Sequence, residues 1–182
     1  VYPDSEEAVL ENINFSVKQG ETIAVIGGTG SGKSTIAKLI PRFYDVSKGE
    51  IKLGGVDIRD LKQSELHDLI GYVPQKANLF SGNIRENINY GSSKNLSDEE
   101  IIEALKIAQA WDFVQKLPED LNEKVSQGGK NFSGGQKQRL SIARAIASKA
   151  PILIFDDSFS ALDYKTDAKL RAELAIKTKS QT

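Results

Sequence analysis

Gly27-Gly28-Thr29-Gly30-Ser31-Gly32-Lys33-Ser34-Thr35 is the stretch that decides how this chain folds. The apolar run Thr22-Ile23-Ala24-Val25-Ile26 precedes it, and the helix-like Ile36-Ala37-Lys38-Leu39-Ile40 follows. Strand, glycine loop with Lys and Ser, then helix is the setting of a phosphate-binding P-loop. The glycines let successive backbone N–H groups turn toward one anion with no Cβ in the way. The helix that starts there points its positive end at the same anion. On this reading Lys33 reaches β- and γ-phosphates and the Ser34 hydroxyl ligates Mg²⁺. The alternative is a glycine-rich turn that happens to carry a Lys; the strand and helix on either side argue against it.

The rest of the chain bounds the answer. Its 182 residues suit one domain, or a core with an inserted subdomain, and suffice for a real hydrophobic core. Lys and Arg total 24 against 25 Asp and Glu, a net charge of -1, which gives no footprint for nucleic acid. There is no Cys, so neither a disulfide framework nor a thiolate metal site is available. No apolar run approaches the roughly 18 residues of a membrane span, so this segment does not insert directly into a bilayer. The opening Val1-Tyr2-Pro3 and the polar ending Lys177-Thr178-Lys179-Ser180-Gln181-Thr182 read as truncation at both ends.

Alternation in Asn12–Val17 predicts a half-buried strand, and Thr22–Ile26 a buried one. A helix is expected from Gly32 to about Pro41, a strand over Gly49–Leu53, a short helix over Ser64–Ile70 and a short strand at Tyr72-Val73-Pro74. From about Lys76 the pattern turns helical: Ser81–Asn89, a capping box at Ser97–Glu100 opening an apolar stripe, Ala110–Leu117, and a long helix through Arg139–Ile146. Pro151–Phe155 reads as a buried strand, and Asp163 opens a last helix. The predicted architecture is α/β, with residues 1–75 and 148–182 forming the core and an N-terminal β subdomain, and residues 76–147 a helical subdomain inserted between them.

The apolar strand Ile152-Leu153-Ile154-Phe155 ends in Asp156. In P-loop proteins such a strand is expected beside the P-loop strand, where it delivers its carboxylate to Mg²⁺. Asp157 follows and can orient or deprotonate a water, or merely tune its neighbour.

Phe132-Ser133-Gly134-Gly135-Gln136-Lys137-Gln138-Arg139 closely resembles the signature motif of ATP-binding cassette (ABC) proteins. Together with the P-loop, the strand ending at Asp156 and Ser160-Ala161-Leu162-Asp163, it makes four motifs in that family's order, across essentially the whole chain. The resemblance implies the ATP-binding and ATP-hydrolysing domain of an exporter at the cytoplasmic face of the cell membrane. ATP and Mg²⁺ are its cofactors, and a transmembrane domain and a second ABC domain are its partners. Tyr2 then stacks on adenine and Gln75 touches Mg²⁺. Leu79–Ile88 resembles the stretch that follows this glutamine in exporters, and Gln127-Gly128-Gly129 occupies the exporter X-loop region. Ser133 and Gln136 have capping-box spacing, and Gly134 and Gly135 leave first-turn amides uncovered, an anion site at a helix start. In the family each such helix covers the ATP on its partner's P-loop.

Two departures stand out. The family's usual residue after the strand-end Asp is Glu, the general base, and here it is Asp157. One methylene is roughly 1.5 Å of reach, and a misplacement of about 1 Å can cost on the order of 10²-fold in rate. The reference pKa values, about 3.9 and 4.3, are nearly equal, so geometry dominates and slow hydrolysis is expected at this P-loop. An altered base with an intact signature favours a heterodimer over a homodimer. An ATP-binding clamp with little turnover is the competing class; a soluble ABC protein is disfavoured by the neutral charge. The family's switch histidine has no match, since His67 stands far from its place. Trp111 reads as packing, and Lys137, Arg139 and Arg144 as a solvated helix face.

Overall fold

The computed structural model describes residues 8–92, 95–178 and 181–182. Helix α1 (Lys33–Leu39) leads to an antiparallel pair, β1 (Lys52–Leu53) and β2 (Val56–Asp57), then α2 (Gln63–Asp68) and β3 (Ile70–Val73). β4 (Gly82–Asn83) runs into α3 (Ile84–Asn89), followed by α4 (Asp98–Ile107), α5 (Trp111–Val114) and β5 (Lys124–Val125), which pairs with β4. α6 (Gly134–Ala147), β6 (Ile152–Phe155) and α7 (Tyr164–Lys177) complete the order.

Helix starts follow from their caps. Ser97 and Ser133 make reciprocal capping boxes with Glu100 and Gln136, and Asp163 accepts the Thr166 N–H at 3.0 Å. A further box, Asn83 with Glu86, starts α3 at Ile84, three residues later than the sequence pattern suggests. Gly82, at φ 141, places the preceding residues outside the helix.

The α/β character rests on one parallel pair, with Ile70, Gly71, Tyr72 and Val73 in register with Ile152, Leu153, Ile154 and Phe155. Side chains alternate across it. Val73, Leu153 and Phe155 join the main core with α3, α4, α6 and α7, built around Leu105, Leu140, Ile142 and Leu170. Ile70, Tyr72, Ile152 and Ile154 face a smaller cluster with Ile58, Leu66 and Ile40, the residue after α1. Gly71 is where α6 meets the sheet: a Cβ there would lie 2.7 Å from Leu153 Cδ2 and 3.0 Å from the Ala145 carbonyl oxygen.

The two N-terminal strands are corrected. Among the described residues Asn12–Val17 and Thr22–Ile26 have no ladder, and Ile23, Val25 and Ile26 are exposed, Ile26 at 92%. Asn12, at φ 54, cannot begin an extended run. Nor does Thr22–Ile26 lie beside β6. The edge of β6 away from β3 is taken by Thr182, whose N–H donates to the Pro151 carbonyl at 2.8 Å and whose carbonyl accepts from Leu153 N–H at 2.7 Å. The turn between the two runs meets Thr182 instead, through Gly20 N–H to Thr182 Oγ1 at 3.2 Å. A strand without a partner leaves its backbone groups to solvent, which an exposed loop tolerates. The Gly49–Leu53 strand shortens to two residues because Gly49 adopts φ 81. Among the described residues no helix is long and apolar enough to cross a membrane.

Candidate functional site

The glycine loop is shaped by its own backbone. Gly32 caps α1 at φ 89, a left-handed conformation, and a Cβ there would come within 2.6 Å of Leu10 Cδ2. The Lys33 ammonium donates to the carbonyls of Gly27 and Gly28, both at 2.6 Å, and to Ser31 Oγ at 3.3 Å. It thereby pins the loop across the start of α1, while Thr35 N–H closes the first turn on the Gly32 carbonyl at 3.0 Å.

The next residue reaches across the fold. Ser34 Oγ donates to Asp156 Oδ1 at 2.6 Å, over a separation of 122 residues. The other oxygen, Oδ2, accepts the Tyr72 hydroxyl at 3.1 Å. Asp156 is buried at 7% exposure, and its own N–H continues the β3–β6 ladder onto the Val73 carbonyl. Burial, reinforced by the Asp156 carboxylate, pushes the Tyr72 phenol up, so it keeps its proton and acts as the donor. Gln75 follows β3, and its Nε2 donates to Asp157 Oδ2 at 2.9 Å. Asp157 sits at φ 48, a left-handed position that Asp tolerates better than most residues. Its carbonyl accepts the Ser160 hydroxyl at 2.9 Å, and Ser158 Oγ anchors the same turn to the Val73 carbonyl at 2.8 Å.

The structure therefore brings Ser34 to Asp156 and Gln75 to Asp157, and it gathers Gly27, Gly28 and Ser31 around Lys33. Thr29 and Gly30 complete the exposed loop. Ser133 and Gly134 are exposed at the start of α6; a Cβ on Gly134 would meet nothing within 4 Å, and one on Gly135 would meet the Ala161 carbonyl oxygen at 3.3 Å. Tyr2 lies outside the described residues. Tyr72 escaped the sequence reading, because its place opposite Ile154, two residues short of Asp156, is set by the β3–β6 register and no local pattern announces it.

The basic residues of α6 need a correction. Arg144 does not line a solvated face: it donates to the Asn87 carbonyl at 2.7 Å, Asn87 Oδ1 at 2.8 Å and the Asn78 carbonyl at 3.1 Å, with Phe80 and Tyr90 alongside. Burial pushes its pKa down to about 10, still far above neutrality. Arg139 is partly buried over Phe113 and donates to the Gln109 carbonyl at 2.7 Å. Trp111 packs against the main core as expected, and the exposed His67 contacts the Pro41 carbonyl.

A hydroxyl one residue past a glycine-loop lysine, tied to a buried carboxylate at the end of a distant parallel strand, places the molecule in the class of P-loop nucleotide-binding domains. Comparison with known proteins narrows the class: the ABC transporter family matches residues 10–160, and the chain belongs to that family. Domains of this family bind ATP and are the ATPases of transporters. Among similar proteins, an uncharacterised ABC transporter ATP-binding protein of Mycobacterium tuberculosis is 46% identical over 95% of this chain and 30% of its own length. An ATP-dependent lipid A-core flippase of Thiobacillus denitrificans is 44% identical over 100% of this chain and 31% of its own. A bacterial Atm1-family ABC exporter solved with ATP bound superposes with a TM-score of 0.93 at 37% identity, over 99% of this chain and 31% of that one. The chain thus spans about a third of the length of these relatives, and it has the fold of an ABC exporter's nucleotide-binding domain.

Proposed function

We propose that this chain is the motor of an exporter: it binds Mg-ATP, pairs with a second ABC domain around the nucleotide, and drives transmembrane helices through the cycle of closure and hydrolysis. The observation that carries this is the Ser34–Asp156 hydrogen bond, which joins the phosphate loop to the strand-end carboxylate. The donor set fits Mg²⁺. Ser34 Oγ, the Asp156 carboxylate and the Gln75 amide oxygen are hard oxygen ligands, and Mg²⁺ takes one or two carboxylates plus substrate phosphates. Among the described residues no cluster of three His, Cys, Asp or Glu competes with that choice. When bound, Mg²⁺ neutralises charge that develops on the transferred phosphoryl group.

The chain's own residues do the rest. The amides of Gly28–Ser34 and the Lys33 ammonium hold the phosphates, with Gly27 and Thr35 framing the loop. Tyr2 stacks on adenine. Asp157, held by Gln75, orients the attacking water. Ser133, Gly134, Gly135 and Gln136 present an exposed helix start to the nucleotide of the partner domain. Asp157 in place of Glu favours a slow site here and a heterodimer in which this chain's signature completes the other site; a homodimer with both sites slow is the second reading. The assembly would sit at the cytoplasmic face of a membrane.

Steady-state ATPase of the full-length protein, alone and co-expressed with a second ABC subunit, tests this. Turnover that rises in the mixture and falls at least tenfold with Ser133→Ala supports the sandwich. Equal activity alone and mixed argues for a homodimer. Turnover indifferent to Ser133→Ala overturns the shared site.

A further inference from the structure

We propose that Tyr72 is a positioning residue for the Asp156 carboxylate, holding its Oδ2 so that the group meets the nucleotide-bound cation in one orientation; this rests on the Mg-ATP reading above. Asp156 is buried, and among the described residues its side chain has two donors on two different oxygens, Ser34 Oγ on Oδ1 and the Tyr72 hydroxyl on Oδ2. A carboxylate turns easily about its last torsion, where the rotamer wells are broad. One donor leaves the plane free to swing, and two donors on separate oxygens set it.

Ser34 has a second duty, since its oxygen is also a cation ligand. Tyr72 has none, and its place is rigid. It stands on β3 opposite Ile154 of β6, so Asp156, two residues on, projects from the same face within reach of a long aromatic side chain. Phe43 meets the Tyr72 ring edge-on at 5.2 Å and 89°, and His67 meets Phe43 at 6.0 Å and 72°. The hydroxyl is placed by the β3–β6 register, and Phe43 only covers the ring from outside the phosphate loop.

Hydrogen-bond partners of metal-ligating groups typically account for 10–100-fold in metal affinity. The test uses Mn²⁺ as the probe, its binding to the full-length protein saturated with a non-hydrolysable ATP analogue and followed by electron paramagnetic resonance. Tyr72→Phe keeps the ring and removes the hydroxyl; it is expected to weaken Mn²⁺ about tenfold, while analogue binding in chelator stays unchanged. Phe43→Leu removes the ring contact and keeps the hydroxyl; it lowers the melting temperature and leaves Mn²⁺ affinity within about twofold. Unchanged Mn²⁺ affinity in Tyr72→Phe overturns the assignment, as does an equal loss in Phe43→Leu, which would make packing the cause. Asp156→Asn separates the two levels. If it also leaves Mn²⁺ binding intact, the cation site itself is wrong and the Tyr72 role falls with it; if it abolishes binding while Tyr72→Phe does nothing, only the Tyr72 role fails.

Discussion

Replacing Asp157 by Glu should speed hydrolysis. Asp157 holds its carboxylate 2.9 Å from the Gln75 amide nitrogen, at a backbone φ of 48. One added methylene carries the carboxylate roughly 1.5 Å further from the β6 turn. If the attacking water stands beyond the reach of Asp, a correction of about 1 Å is worth on the order of 10²-fold, or about 2.7 kcal/mol of barrier. The backbone opposes the change. A left-handed φ costs an ordinary L-residue roughly 1–2 kcal/mol, and Asp is partly exempt because its short side chain bonds locally. About 1 kcal/mol of stability is therefore lost, a drop of roughly 2–4 °C in the unfolding midpoint for a domain of this size. The two effects act on separate equilibria, and losing about 1 kcal/mol leaves the domain folded, so the variant should be faster and slightly less stable. Single-turnover hydrolysis of ATP on the full-length protein, with nucleotide affinity measured in parallel, reads the first effect; a thermal scan reads the second. A rate unchanged or lower, with ATP affinity intact, would refute the argument that reach limits this site.

Three further outcomes are expected. Gly71→Ala places a methyl 2.7 Å from Leu153 Cδ2 and 3.0 Å from the Ala145 carbonyl; it should cost about 1–3 kcal/mol in urea unfolding, and a neutral result would mean that α6 can back away from the sheet. Arg144→Lys keeps the charge but loses the fork that serves Asn87 and Asn78, leaving the buried Asn87 carbonyl without its donor; about 1–3 kcal/mol should again be lost by the same measurement. The Arg59 guanidinium and N–H hold the Asp57 carboxyl at about 2, below its ordinary 3.8. The folded value is the lower one, so the pair's contribution is complete above about pH 4 and is lost as pH falls toward 2; Arg59→Leu removes the guanidinium and keeps the N–H, so it should move the Asp57 midpoint, followed by carbon NMR, part of the way toward 3.8, and a midpoint that stays put would assign the shift to the N–H alone.

What could be read from the order of residues alone is local. Loop glycines, capping boxes and the apolar run ending at Asp156 are chemical patterns within a few residues of one another, so α1, α4, α6, β6 and the start of α7 could be read directly, and the signature Ser133–Gln136 box has the geometry that its spacing dictates. Tertiary structure decided everything that depends on a partner distant in the chain. Strand character at Thr22–Ile26 is a pairing question, and Thr182 rather than that run lies against β6. The burial of Arg144 depends on the aromatic pair Phe80 and Tyr90 closing over it, which no pattern within α6 announces. Asp156 acquires Tyr72 and Ser34 only because β3 and β6 share a register and Ile40, the residue after α1, packs on the same face. Backbone propensity and capping act over one turn of chain, whereas ladders, buried charges and a site's second donor are settled by which surfaces meet.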